Sequence, residues 1–472
     1  MKSSLFPPDV YVSRREDLRR QVSSGILLFV GNAESPMNYA ANTYPFRQDS
    51  SFLYYWGLDH PGLSAVIDID AGSETVFGND PTVAEIVWTG PQRLLRDKCE
   101  DIGVRNASPM SALEAILKKA LDQHRRIHVL PQYRGDNVLG VASLLGIPGS
   151  SVVDYISPEF IRAVVAQRST KTSEEIDQIE IALDMTHAMH MMAMSITKPG
   201  LEEREVVGAM EGGVIAMGGQ LSFPIIFSIH GETLHNPYYD NILDDGDIVV
   251  NDSGAESPMH YAGDITRTIP VSGQFTEPQR DVYRIVLAAQ EAALDKIRPG
   301  VRFKDVHLEA CRTLAEGLKG LGLMKGDTGE AVRQGAHALF FQCGLGHMMG
   351  LDVHDMENLG EDYVGYDEST KRDQQFGLCY LRMAKPLQAG YVVTVEPGLY
   401  FIPALIDAWK AERKYSSFID FDAVEKYRDF GGVRIEDDIL VTENGYRLLG
   451  TAIPKTIEEV ETLCSHRSDR NP

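Results

Sequence analysis

Ionisable side chains interrupt segments in the second half of the chain that otherwise read as buried strand. Asp252 closes Asp247-Ile-Val-Val-Asn-Asp252, and Asp264 stands in Tyr261-Ala-Gly-Asp-Ile-Thr-Arg-Thr268. Glu396 ends Val392-Val-Thr-Val-Glu396 ahead of Pro397-Gly398, and Glu436 interrupts Val433-Arg-Ile-Glu-Asp-Asp-Ile-Leu-Val441. His347 lies in the glycine-rich run Gly344-Leu-Gly-His-Met-Met-Gly350. A buried ionised carboxylate is unfavourable unless it is paired or coordinates a metal. Taken singly, each reads as a salt bridge or a strand end. Five together constrain the chain to a fold that gathers them. Gly254 to Met259 carries turn chemistry, so Asp252 and Asp264 are expected to face each other across an antiparallel hairpin.

Four carboxylates and one imidazole make an oxygen-rich ligand set suited to two divalent cations with bridging carboxylates. Hard ligands with a single histidine favour Mn²⁺, with Co²⁺, Fe²⁺ or Zn²⁺ as alternatives. Two such ions about 3.5–4 Å apart can hold a bridging water, lower its pKa and polarise a carbonyl. That is hydrolase chemistry.

The rest of the composition bounds the setting. The chain has 472 residues, enough for two to three domains, and a net charge of −23 from 45 Lys+Arg against 68 Asp+Glu. This acidic balance excludes phosphate-backbone binding and attraction to anionic membrane surfaces. Cys99, Cys311, Cys343, Cys379 and Cys464 are odd in number and scattered, which points to reducing cytoplasm rather than a disulfide framework. Pro7 and Pro8 stand where a signal peptide would need its apolar run, and no stretch is long and apolar enough to span a membrane.

Along residues 1–168 short apolar runs alternate with turns. Residues 25–30, 64–68, 126–130 and 149–153 read as strands, and 107–124 as helix, giving an α/β domain. Near Arg168 the character changes. Thr172 and Glu175 form a capping box, followed by Ile176, Ile179 and Leu183 at helical spacing. In residues 169–472 helices are expected over 173–197, 202–217, 277–297 and 303–321. Strands are expected around 247–252, 261–271, 392–399 and 432–442. Asp352 to Gly377 is polar and reads as a loop or insertion.

Familiar motifs are absent: no H-E-x-x-H, G-x-S-x-G or G-x-x-x-x-G-K-[ST] occurs. Gly344 to Gly350 has the spacing G-x-G-x-x-x-G and follows a helix-like segment, the wrong context for a dinucleotide fingerprint. Met348, Met349 and the run from Met185 to Met194 read as core filler. Nothing in the sequence around Cys343 lowers a thiol pKa, so it is not read as a nucleophile.

Six segments carry a family resemblance: Asp252-Ser-Gly-Ala-Glu256, Gly263-Asp-Ile-Thr-Arg-Thr268, Gly344-Leu-Gly-His347, Asp352-Val-His-Asp355, Thr394-Val-Glu-Pro-Gly-Leu-Tyr400 and Gly432-Val-Arg-Ile-Glu-Asp437. In this order they resemble the aminopeptidase P and prolidase group of pita-bread dinuclear metallopeptidases. Tyr44 to Tyr55 resembles that group's N-terminal domain. The resemblance implies an α/β N-terminal domain followed by an α+β pita-bread catalytic domain. It implies Asp252, Asp264, His347, Glu396 and Glu436 as metal ligands, with Asp264 and Glu436 bridging. Glu396 would also assist proton transfer from a hydroxide-forming water held between the metals. His354 resembles the histidine at the scissile carbonyl, and His235 the substrate histidine on the proline side. Arg434, two residues from Glu436 and so on the same strand face, would orient carboxylates. Tyr400 would donate a hydrogen bond near the metals.

The resemblance also implies proline-containing peptides as substrates and a homo-oligomer, dimer or tetramer. Proline matters because its tertiary amide with fixed φ suits ordinary exopeptidases poorly. An aminopeptidase P removes the first residue of longer Xaa-Pro peptides; a prolidase cleaves Xaa-Pro dipeptides and needs a cation for the terminal carboxylate. Arg382 resembles the prolidase cation, whereas Tyr44 to Tyr55 suits aminopeptidase P. The expectation is Xaa-Pro aminopeptidase, with Xaa-Pro dipeptidase as the alternative. The long 355–391 connection departs from the simplest aminopeptidase P pattern. A methionine aminopeptidase ordinarily lacks such an N-terminal domain. A creatinase-like enzyme or a metal-free peptide-binding module on the same fold would have lost ligands, and all five are present.

Overall fold

The computed structural model describes residues 5–465, which form two compact units. The first comprises residues up to Arg168 together with Met356–Tyr363; the second holds Ser169–Asp355 and the chain from Val364 onward. The eight residues from Met356 come from the acidic stretch that reads as an insertion in the sequence.

The first unit is built on a five-stranded mixed sheet of β1 (Ile26–Val30), β2 (Ser64–Asp68), β3 (Ser73–Phe77), β4 (Ala107–Ser108) and β5 (Ile127–Val129), in the order β4-β3-β2-β1-β5. β1 runs antiparallel to β2 and parallel to β5. Its apolar runs are buried, and one face packs on α1 (Ser111–Asp122) and α2 (Gly135–Leu145) through Leu113, Leu117, Val141 and Leu145. Helix α1 is shorter than expected because Pro109 separates it from the edge strand at Ala107. The expected strand at 149–153 is instead a 3₁₀ turn, Gly149–Tyr155. Val152 is buried, but Val153 is 62% exposed, so only one of the two valines has core to reach.

In the second unit the four expected helices form as α3 (Ser173–Ile196), α4 (Glu203–Ala216), α5 (Glu277–Lys296) and α6 (Phe303–Gly320). α3 starts at the Thr172–Glu175 capping box. α3 packs on α4 and α5 on α6. β6 (Ile226–Ser228), β7 (Ile248–Ser253) and β8 (Ile265–Pro270) form an antiparallel sheet with β7 at its centre. The expected long strands at 392–399 and 432–442 are each broken in two. β9 (Val392–Val395) and β10 (Gly398–Tyr400) part at Glu396-Pro397, while β11 (Gly432–Arg434) and β12 (Asp437–Val441) part at Ile435-Glu436. β9 pairs with β12, β10 with β11, and β12 with β13 (Tyr446–Leu448). Pro397 has no N–H to donate, which ends the ladder there. The architecture is the expected one, an α/β domain followed by a mixed helix-and-sheet catalytic domain of the pita-bread type.

Among the described residues no single helix is long and apolar enough to cross a membrane, and all five cysteines are free thiols.

Candidate metal centre

The register of β7 and β8 brings the first two acids together. Asp252 pairs with Thr266, so Asp264, two residues earlier, projects on the same face diagonally across the ladder. Glu436 joins them at the break between β11 and β12, where its backbone N–H donates to the Thr266 carbonyl (3.1 Å). Thr266 Oγ1 also donates to Glu436 Oε2 (2.6 Å).

His347 arrives on a segment lying along β9. The Thr394 N–H donates to the His347 carbonyl (3.0 Å), and the Glu396 N–H to the Leu345 carbonyl (2.8 Å). The backbones approach so closely that a Cβ on Gly346 would lie 2.1 Å from the Thr394 carbonyl oxygen. That explains the glycine. Gly346→Ala is expected to destabilise the protein by about 1–3 kcal/mol, since backbone rather than a flexible side chain must give way. The displaced His347 should lower metal content as well as melting temperature, which metal analysis and a melt on one sample will show.

The ring geometry of His347 is that of a ligand. Nδ1 faces the Met348 carbonyl at 3.1 Å and donates to it, leaving the lone pair of Nε2 towards Asp264 Oδ2 (3.3 Å) and Glu396 Oε1 (3.6 Å). Nε2 and two carboxylates facing one another suit a shared cation, a proton on the ring or a metal ion. Asp264, His347 and Glu436 place ligand atoms within 4.8 Å of one another, all buried. Asp252 Oδ1 has no hydrogen-bond partner among the described residues.

Electrostatics separate these acids from their neighbours. Burial pushes Asp252, Asp264, Glu396 and Glu436 above the usual carboxylate range, and the charges of the other acids add to it. Burial opposes a charged His347, but the hydrogen bond with Asp264 and the charge of Glu396 outweigh it and raise the imidazole. Asp437, adjacent to Glu436 and equally buried, behaves oppositely. Arg267 Nη2 (2.6 Å) and Lys455 Nζ (2.7 Å) donate to it and hold its carboxyl below the usual range against burial. Asp437 is a satisfied structural ion, whereas the Glu436 carboxylate sits among other acids where a metal cation suits it. The residues present fit a bound pair of divalent metals.

Arg434 is a cation set among the acids. It is 4% exposed, and its Nη2 donates to Asp252 Oδ2 (2.5 Å), Nε to Thr266 Oγ1 (3.0 Å) and Nη1 to the Tyr400 hydroxyl (3.0 Å). The acids and Arg434 open onto a cavity of about 620 Å³, also lined by His235, His354 and Arg382. The His354 ring lies 4.3 Å from that of His347, and its loop is pinned by the buried Lys171–Asp355 ion pair (2.8 Å). Tyr400 does not line the cavity. Its hydroxyl accepts from Arg434 Nη1, so the hydrogen bond expected of it near the metals is one that supports the arginine.

Sequence reasoning missed the threonines. Thr266 and Thr394, one residue type on two strands, brace Glu436 and the His347–Glu396 pair: Thr394 Oγ1 accepts from the His347 N–H (3.1 Å) and donates to Glu396 Oε1 (3.3 Å). Their signal was present, since each stands two residues from an acid on the same strand face. It also missed the apolar wall of Phe223, Pro224, Ile226 and Pro237 beside His235, and Phe376 and Tyr380 from the long connection.

Residues 177–443 match metallopeptidase family M24, and residues 11–130 match the aminopeptidase P N-terminal domain. The chain belongs to metallopeptidase family M24. A Homo sapiens Xaa-Pro dipeptidase is 32% identical to it, over 94% of this chain and 90% of its own length. A Haemophilus influenzae Xaa-Pro aminopeptidase is 31% identical, over 97% of each. The zinc-substituted E. coli aminopeptidase P in complex with product superposes with a TM-score of 0.81 at 30% identity, covering 99% of this chain and all of the other.

Proposed function

We propose that the chain is an Xaa-Pro aminopeptidase, hydrolysing the bond between an N-terminal residue and proline in peptides of three or more residues. The observation that carries this is the convergence of three buried carboxylates, the partly buried Glu396 and His347 in a cavity also lined by His235, His354 and Arg382. In this reading Asp252, Asp264, His347, Glu396 and Glu436 would hold two divalent cations. The oxygen-rich set favours Mn²⁺. When bound, such a pair supplies Lewis-acid polarisation and a water of lowered pKa.

The chain's own groups do the rest. As water attacks the scissile carbonyl, Glu396 takes its proton and returns it to the proline nitrogen as the C–N bond breaks. His354 holds the carbonyl region, and His235 with Phe223 and Pro237 receives the proline ring. Arg434 and Tyr400 act as positioning residues, fixing Asp252. The enzyme is proposed to work in the cytoplasm as a dimer or tetramer.

Arg382 gives the dipeptidase reading its specific support, because a cation in the cavity can capture a dipeptide's terminal carboxylate. One assay decides. Mn²⁺-loaded protein is expected to release the first residue of an Arg-Pro-Pro tripeptide and to stop after chelation. Cleavage of Ala-Pro alone would assign the dipeptidase, and cleavage of neither would defeat the peptidase reading.

A further inference from the structure

Behind the carboxylate centre lies a second cluster of a different chemical kind. His307 and Cys311 are four residues apart on α6 and so share a face, and His337 stands on the 3₁₀ turn Ala336–Leu339. All three are buried, at 0%, 0% and 2% exposure, and their ligand atoms lie within 4.8 Å of one another. Cys311 Sγ is 3.2 Å from His307 Nε2. Neither ring nitrogen of His337, nor Nδ1 of His307, has a hydrogen-bond partner among the described residues. A neutral imidazole always carries one donor and one acceptor, so in this ring orientation neither tautomer satisfies His337. Leaving such groups unpaired inside a protein is unfavourable, and native structures rarely do so.

We propose that His307, Cys311 and His337 form a second metal site, taking a thiolate- and imidazole-preferring cation of the Zn²⁺ class. One sulfur and two imidazoles with no carboxylate are the converse of the oxygen-rich centre, so the two sites select different ions. Burial drives the pKa of His307 to about 3 and of His337 to about 4, which keeps both lone pairs available. The cation displaces the thiol proton of Cys311, which leaves to solvent as the metal–sulfur bond forms. The site ties α6 to the segment that runs on from His337 to His347.

Cobalt reads this site directly, because only a thiolate ligand gives a sulfur-to-cobalt charge-transfer band in the near ultraviolet. The full chain is produced in Co²⁺-supplemented medium so that the ion enters during folding. The wild type is expected to show that band and to hold about one more Co²⁺ per chain than Cys311→Ala, which loses it. His337→Gln keeps the thiol and is expected to lose most of the band. A wild-type protein without the band overturns the proposal, as does a band that survives in Cys311→Ala. If Cys311→Ala does not fold, an unchanged band in His337→Gln overturns it equally.

Discussion

Asp264→Asn is expected to abolish turnover and, in the same protein stripped of metal, to raise the melting temperature. The two effects have one source. Asp264 is buried with Asp252 and Glu436 beside the partly buried Glu396, and desolvation and mutual repulsion hold all four above the ordinary carboxylate range. With no cation present, neutralising one of them relieves that repulsion. Asparagine keeps the shape of the side chain and the backbone bond from the residue 264 N–H to Asp438 Oδ2 (2.9 Å). With metal supplied the order reverses, because a ligand that binds only the folded state stabilises it in proportion to its affinity. Activity should fall by about 10²–10³-fold or more, the scale of loss when one preorganised charge-stabilising group is removed from an active site. Tripeptide cleavage with added Mn²⁺ and melts with and without chelator measure both. Near-normal turnover would remove Asp264 from the ligand set, and a stripped variant melting below wild type would show that charge crowding does not govern this pocket.

The acids themselves were legible because a charge inside an apolar run is improbable without a partner, and five such runs share one half of the chain. Their surroundings were less so. Glu436 and Asp437 are adjacent and equally buried, and nothing local distinguishes them. The difference is made by Arg267 and Lys455, from elsewhere in the chain, which converge on Asp437 alone. Glu396 and Glu436 read as strand residues, yet both stand at strand breaks. A regular strand would alternate its side chains between faces, whereas a break turns each carboxylate towards His347 and Thr266. Tyr400 illustrates the opposite limit: the resemblance implied a hydrogen-bond donor near the metals, and the pairing of β10 with β11 puts its hydroxyl on Arg434, from which it accepts. The cavity wall was out of reach, because Phe223, Phe376 and Tyr380 lie in irregular segments whose direction no periodicity fixes.

Arg434→Met should lower kcat about 10–100-fold with little change in KM, the size expected for a residue that orients a ligand rather than touching substrate. It should also destabilise the metal-free protein by about 3–5 kcal/mol, the scale for removing one partner of a buried ion pair. The reason is what the guanidinium leaves behind. Asp252 loses its 2.5 Å partner while its other oxygen has none among the described residues, and Thr266 and Tyr400 each lose a donor. Methionine matches the volume, so the loss reports polarity rather than a hole in the core. The decisive variant is Arg434→Met combined with Asp252→Asn. Removing the stranded charge should recover much of the stability, giving a coupling of about 0.5–3 kcal/mol between two residues in direct contact. Turnover should stay lost, since the same change removes a metal ligand. If the double variant is no more stable than Arg434→Met, the arginine is held for its contacts with Thr266 and Tyr400. If Arg434→Met alone keeps full kcat, Asp252 needs no orienting partner.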